Sequence, residues 1–117
     1  MAAWCTHNLA SDSTLLVHDA GYIAYATPFH IVDMVGLKTP AAISLNQALT
    51  WPSAGQLRAN VVAELAQKTG ASYLVLLDKW PYTSNLVPDL NRLGWRVDPL
   101  RREGIYRVYR LTAPATP

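Results

Sequence analysis

The feature that most constrains the fold is an unbroken apolar run, S-Y-L-V-L-L at residues 72–77, which ends at Asp78. A strand with one solvated face alternates apolar and polar residues, whereas this run offers no polar face. Such strands are typical of parallel sheets that are covered by helices on both sides. We therefore expect residues 72–77 to form a central strand of a layered α/β domain.

Four other segments have the composition of strands, and they are residues 14–18, 30–35, 95–98 and 105–111. The first two are compact apolar runs, so we expect them to lie parallel to the central strand. The last two flank a turn predicted at residues 101–104 and should form a hairpin. The Tyr- and Arg-rich composition of the final segment predicts a strand at the edge of the sheet.

The clearest helix is predicted over residues 53–69. Ser53 and Gln56 have the spacing of a capping box, in which each side chain bonds the other residue's backbone N–H. Gly70 suits a left-handed stop at the carboxyl end. One apolar stripe with a four-residue repeat should pack on the sheet, and it consists of Leu57, Val61 and Leu65.

Weaker helical patterns occur at residues 2–9, near residues 41–48 and at residues 84–93. Because proline is tolerated only in the first turn of a helix, Pro88 predicts that the last of these helices starts near Val87. Its apolar face is expected to contain Leu86, Leu90 and Leu93.

The resulting order of elements, β, β, α, β, α, β, β, predicts an α/β fold. We expect a small sandwich with a mostly parallel central sheet, helices packed on it and a C-terminal antiparallel hairpin. A chain of 117 residues suits one domain. We assign residues 1–112 to that domain and expect residues 113–117 to form a disordered tail.

Composition and charge exclude several classes of protein. One cysteine rules out an internal disulfide framework, and no apolar run in this sequence reaches the ~20 residues that cross a bilayer. Residues 92–117 carry six arginines against two acidic residues. Such a basic end is compatible with phosphate or lipid head groups, or simply with a solvated hairpin. No basic block with interleaved aromatic residues indicates nucleic-acid binding.

Three aspartates, Asp19, Asp33 and Asp78, fall near the carboxyl ends of predicted parallel strands, where α/β sheets bind ligands. With His18 and His30 nearby, a metal site or an acid–base pair is one interpretation. The other is structural, because a carboxylate at a turn accepts backbone N–H bonds. We favour the structural interpretation and predict no catalytic residue, no metal and no cofactor.

No phosphate-binding loop, nucleophile elbow or zinc signature occurs in the sequence. Cys5 lies two residues from His7 in a weakly patterned segment, and we interpret it as an incidental thiol. Aromatic residues in predicted loops are candidates for stacking on sugars, although ordinary packing also explains them. These residues are Trp51, Trp80 and Tyr82.

A family resemblance centres on residues 16–38, which contain L-V-H-D-A-G-Y-I-A-Y and then I-V-D-M-V-G-L-K. This resembles a pattern D-x-G-x-x-x-Y followed by (I/V)-(V/I)-D-x-x-G-L. That pattern is associated with soluble C-terminal domains of bacterial GT-C-type membrane glycosyltransferases, similar to dolichyl-phosphate-mannose–protein mannosyltransferases. The matching positions are Asp19, Gly21, Tyr25, Asp33, Gly36 and Leu37.

The resemblance implies a non-catalytic accessory domain, because catalysis in that family belongs to acidic residues in loops between membrane helices. Its implied partners are the membrane-embedded portion of the same enzyme and a lipid-linked sugar or glycan acceptor. The implied location is the extracytoplasmic, periplasmic face of the inner membrane. A stand-alone ligand-binding module and a protein-interaction module remain alternatives.

Overall fold

The computed structural model describes residues 2–17, 28–34, 40–50, 52, 57–77 and 85–114. Its strands are β1 (Thr14–Val17), β2 (His30–Asp33), β3 (Tyr73–Leu77), β4 (Arg96–Glu103) and β5 (Tyr106–Thr112). Its helices are α1 (Ala2–Asn8), α2 (Pro40–Leu45), α3 (Arg58–Thr69) and α4 (Leu86–Arg92). A single π-helical turn, Asn46–Thr50, directly follows α2.

The described strands form one five-stranded sheet in the order β2-β1-β3-β5-β4. β1 pairs in parallel with β2 and with β3, and β5 pairs antiparallel with β3 and with β4. This confirms the predicted α/β fold, with a parallel half and a C-terminal antiparallel hairpin.

The central part of the sheet is buried on both faces, as its unbroken apolar strands predict, whereas most of β4 is exposed. On the helix side, Leu16, Leu74 and Leu76 pack in one cluster with residues of α3 and α4, including Leu65 and Leu90. On the opposite side, which we call the α1 side, the buried cluster consists of Cys5, Leu9, Leu15, Val17, Phe29, Val75 and Val108. Neighbouring residues of a strand thus supply different clusters, because successive side chains point to opposite faces.

The α3 helix is shorter at its start than the sequence predicts. It begins at Arg58, and Leu57 precedes it with φ −97° and ψ 16° and no side-chain cap. Leu57 is therefore not part of the packed stripe, and it is 39% exposed, whereas Val61 and Leu65 are 1% and 0% exposed. The predicted capping residues lie outside the described residues. The predicted stop is confirmed, since Gly70 has φ 68°, a left-handed conformation that glycine adopts without strain.

The α4 helix follows its prediction except at its carboxyl end. Pro88 lies in the first turn, and Leu86 and Leu90 are buried at 3% and 1% exposure. Leu93 is 40% exposed, so its predicted place on the apolar face is wrong. The helix ends at Arg92, so Leu93 no longer follows the helical repeat that would place it on the packed face.

Two expectations about the hairpin are wrong. The strand β4 continues through residues 101–103, which pair with β5, and the turn lies at Gly104 and Ile105. The pairing register shifts between Pro99 and Arg101, and β4 then continues to pair with β5 through the residues predicted to form the turn. β5 lies between β3 and β4 rather than at an edge. β5 can be an interior strand despite its arginines, because Val108 and Leu111 are buried while the long arginine side chains extend to water.

The predicted tail is described only in part, since residues 115–117 lie outside the described residues. Pro114 approaches Gly94: a Cβ placed on Gly94 would lie 3.3 Å from two carbon atoms of the Pro114 ring.

Candidate functional site

The best-defined candidate site is the edge of the sheet at which the three parallel strands end. Val17 and Asp33, the last residues of β1 and β2, are in register with each other and with Val75 of β3, which runs two residues further, to Leu77. The carboxyl ends of the three strands thus lie at the same end of the sheet. The chain passes from β1 to β2 on one side and then to β3 on the other. Ligands of open α/β sheets bind where strand order reverses in this way.

Of the motif and sugar-stacking residues predicted from the sequence, only Asp33 falls within the described part of the chain, and the further candidates His18 and Asp78 lie outside it. The other motif positions lie outside the described residues, and they are Asp19, Gly21, Tyr25, Gly36 and Leu37. The same holds for the three aromatic candidates for sugar stacking, Trp51, Trp80 and Tyr82. The structure therefore assigns a geometry to one residue of the predicted motif.

Asp33 is the last residue of β2 and is only 4% exposed. Its register with Val17 places Asp33 on the α1 side of the sheet. Asp33 also has an interaction partner. The backbone N–H of the next residue, Met34, donates to the Val17 carbonyl oxygen at 3.0 Å. Asp33 is thus built into the sheet at the junction of β1 and β2 rather than displayed on the surface.

A buried chain of neutral polar groups holds the backbone just after β2. The side-chain amide of Asn46 donates to the carbonyl oxygens of Met34 and Ala42, each at 2.9 Å. The Thr50 hydroxyl donates to the Asn46 Oδ1 atom at 2.6 Å. Asn46 and Thr50 are 4% and 1% exposed, so these bonds replace water that neither side chain can reach.

The sequence contains a signal for this chain of bonds that the sequence analysis missed. Asn46 and Thr50 are four residues apart within the otherwise largely apolar segment A-A-I-S-L-N-Q-A-L-T. That spacing places both side chains on one side of a helical segment, where an amide and a hydroxyl can bond. Both residues lie in the π-helical turn, and such turns are frequent near functional sites.

The histidine and cysteine candidates do not assemble a reactive centre in the described part of the chain. His30 begins β2, opposite Thr14, so it stands at the other end of the strand from Asp33. Cys5 is 0% exposed, and burial raises the pKa of its thiol, which keeps it protonated and unreactive. No group of three or more His, Cys, Asp or Glu residues able to hold a metal occurs among the described residues.

The arginines of the hairpin region are partly neutralised by neighbouring carboxylates. Arg96 pairs with Asp98 at 2.9 Å, and Arg101 pairs with Glu103 at 4.0 Å. These two ion pairs offset part of the excess positive charge seen in the sequence.

Fold and site together define an α/β domain with three parallel strands, in which the buried Asn46–Thr50 hydrogen bonds hold the backbone just after β2. The chain belongs to the family described as a domain of unknown function, DUF8728, whose family model matches residues 1–113. No curated protein and no solved structure matches the chain significantly. Within the described residues, no helix has the length and apolar character needed to cross a membrane.

Proposed function

We propose that this chain is a non-catalytic accessory domain of a multi-pass membrane glycosyltransferase that uses polyprenyl-phosphate sugars. In that role it shapes the acceptor side of the enzyme or stabilises it. Its partners are the membrane-embedded portion of the same enzyme and the lipid-linked sugar or glycan acceptor. It faces the periplasm.

The observation that supports this proposal is the position of Asp33. Asp33 belongs to the sequence pattern that resembles the glycosyltransferase domains, and it is 4% exposed at the junction of two parallel strands. A buried side chain that has an interaction partner in that position stabilises the domain, because removing it leaves the partner unsatisfied. The motif then serves the architecture of the accessory domain, and the chemistry belongs to the membrane portion of the enzyme.

The first test asks in which protein the domain occurs. An antibody raised against residues 1–117 is used on membrane and soluble fractions of the source cells after alkaline carbonate washing. The proposal predicts a carbonate-resistant membrane protein far larger than the 12.9 kDa of this chain. A band near that mass that is confined to the soluble fraction would contradict it.

The second test separates a stabilising role from a catalytic one in the full-length protein. Asp33→Asn should lower the amount of enzyme in the membrane while leaving sugar transfer per enzyme molecule unchanged. Asp12→Asn, at an exposed turn, is the matched control and should change neither quantity. Loss of transfer per molecule in Asp33→Asn at normal enzyme level would reject the non-catalytic role.

The alternative, a stand-alone ligand-binding module, is favoured by one observation. The carboxyl ends of three parallel strands meet at one edge, which is the usual ligand site of such sheets. A small soluble protein in the first test would support this alternative.

A further inference from the structure

The strand β4 forms one edge of the sheet. Among the described strands, β4 pairs with β5 alone. Of its eight residues, Val97 is buried, Asp98 is half-buried and the other six are exposed. The opposite edge strand, β2, has four residues, and two of them are buried. β4 therefore offers the longer accessible edge, and the backbone groups along such an edge can pair with a further strand.

The charged residues 101 and 103 in the second half of β4 lie on the α1 side of the sheet. Arg101 is opposite Val108, and Glu103 is opposite Tyr106. Both of these β5 residues pack in the cluster on the α1 side. Residues that are directly opposite in neighbouring strands share a face of the sheet, so Arg101 and Glu103 lie on that side as well.

The charged residues in the first half of β4 lie on the same side. Asp98 is opposite Arg110, which is two residues from Val108 and therefore on the same face of β5. Arg96 is two residues from Asp98 and forms an ion pair with it at 2.9 Å. In a regular strand Asp98 and Arg101, three residues apart, would point to opposite faces. The shift of register between them brings both to one face.

This face of β4 carries a row of charges that is complementary to its own reverse. The signs at residues 96, 98, 101 and 103 are positive, negative, positive and negative. When a second, antiparallel copy overlaps the whole strand, Arg96 is opposite Glu103 and Asp98 is opposite Arg101, and two-fold symmetry makes each pair twice. The ion pairs within each strand, Arg96–Asp98 and Arg101–Glu103, then join the new pairs in one network of alternating sign.

The same charges disfavour other registers. A shift of the second copy by two residues in one direction places Arg96 opposite Arg101, and a shift in the other direction places Asp98 opposite Glu103. Like charges directly opposite each other destabilise a sheet. Charges, a proline and a bulge protect an edge strand from unrelated strands, and β4 has all three. Its pattern of charges nevertheless matches a second copy of β4.

An exposed apolar residue lies at the centre of the fully overlapping register. Leu100 is 37% exposed and is adjacent to Pro99. In that register Leu100 of each copy is opposite Pro99 of the other, on either side of the two-fold axis. Protein interfaces commonly have an apolar centre within a polar rim. Leu100 and Pro99 of the two copies supply such a centre, and the charged pairs supply the rim.

We propose that β4 is a self-association edge, through which two copies of this chain form a symmetric antiparallel dimer with one continuous sheet. The partner is a second copy because the charges of β4 match their own reverse in the one register that covers the whole strand. A single strand edge is a small interface, so the dimer is weak and depends on concentration. This proposal does not depend on the glycosyltransferase role proposed above.

The first experiment measures dimerisation of the full chain by sedimentation from about 1 μM to about 1 mM. We expect a reversible dimer. Asp98→Arg and Arg101→Asp each place like charges opposite each other in the dimer, and each alone should lower its affinity about tenfold or more. An equimolar mixture of the two variants makes every pair opposite in charge again, so it should regain association. A parent chain that stays monomeric, or a mixture that does not associate, would overturn the proposal.

The control for net charge is Lys68→Asp, which makes the same charge change in α3, where the Lys68 side chain is 58% exposed. Lys68→Asp alone should dimerise like the parent. Mixed with Asp98→Arg, it has the same net charge as Arg101→Asp but lacks the matching position, and it should not restore association. If it restores association equally, general attraction rather than register explains the result, and the proposal is wrong. Circular dichroism establishes that each variant is folded.

The apolar centre gives a test that is independent of the charged pairs. Leu100→Glu places two like charges beside the two-fold axis and should weaken the dimer about tenfold or more. Ile43→Glu is the matched control, because Ile43 in α2 is similarly exposed, at 39%, and lies outside the proposed interface. Equal losses in the two variants would contradict a centre at Leu100.

The last experiment locates the interface by amide hydrogen exchange at low and high concentration. We expect protection to rise with concentration in β4, at residues 96–103, and to stay constant in β2, at residues 30–33. Dimerisation with increased protection in β2 alone, or without increased protection in β4, would assign the interface to another surface and overturn the proposal.

Discussion

The parallel half of the sheet and the C-terminal hairpin use polar groups in opposite ways. Beside the parallel half, Asn46 and Thr50 are 4% and 1% exposed and are joined by hydrogen bonds between neutral groups. In the hairpin, the side chains of Arg96 and Asp98 form an ion pair while 76% and 41% exposed. Burying an unpaired polar group costs several times what an exposed ion pair contributes. The polar groups near β2 should therefore contribute more to the stability of the fold than those of the hairpin.

The largest expected effect tests the core that both halves share. Leu65→Ala removes a side chain that is 0% exposed in the helix-side cluster, and we expect a loss of about 2–5 kcal/mol in the free energy of unfolding. Leu57→Ala is the matched control, because Leu57 is 39% exposed and precedes the helix, and its effect should stay within about 0.5 kcal/mol. Urea denaturation measures both, and similar losses would contradict the described boundary of α3.

The next effect tests the buried side of the comparison. Asn46→Ala removes the donor to the Met34 carbonyl and the acceptor of the Thr50 hydroxyl. We expect a loss of about 2–4 kcal/mol, because groups stranded in the interior cost ~1–3 kcal/mol each. Asn8→Ala is the control: the Asn8 amide also donates to a carbonyl four residues earlier, at 2.8 Å, but in an exposed position. Thermal melts measure both variants. If they lose the same stability, burial does not determine how much these hydrogen bonds contribute to the free energy of unfolding.

A smaller effect tests the predicted motif. Asp33→Asn should lower stability by about 1–3 kcal/mol, because the buried carboxylate has partners that an amide replaces incompletely. Asp12→Asn, in an exposed turn, should melt like the parent. Thermal melts of the isolated chain measure both variants. An unchanged melting temperature for Asp33→Asn would show that Asp33 does not stabilise the fold.

The smallest effect tests the exposed side of the comparison. Arg96→Gln breaks the 2.9 Å pair with Asp98, yet the free energy of unfolding should fall by less than about 0.5 kcal/mol. Raising the salt concentration should reduce even that difference, because ions screen exposed charges. A loss above about 1 kcal/mol in urea denaturation would mean that the hairpin, like the buried half, depends on its polar pairs.

The sequence was most informative where a pattern depends on burial alone. The apolar runs of β1, β2 and β3 predicted a parallel group, and Gly70 predicted the end of α3, because these signals lie within a few residues. The sequence was least informative about features that depend on which strands pair across the sheet. Nothing local shows that β5 is inserted between β3 and β4, or that β4 continues past Pro99.

The candidate site was predictable only in part, for a related reason. The adjacency of the strands that end near Asp19 and Asp33 followed from the alternation of elements, and the pairing of β1 with β2 confirms it. The Asn46–Thr50 chain depends on how the π-helical turn packs against the end of β2, which short-range spacing suggests but does not determine.

The interior position of β5 has a consequence for the order in which the chain matures. β5 is the last of the described strands, yet its Val108 is 0% exposed and its backbone joins β3 to β4. During synthesis, β3 therefore presents an open edge of N–H and carbonyl groups until residue 112 has left the ribosome. Such an edge recruits other extended chains, so a nascent or truncated chain that stops before Tyr106 should depend on chaperones or aggregate.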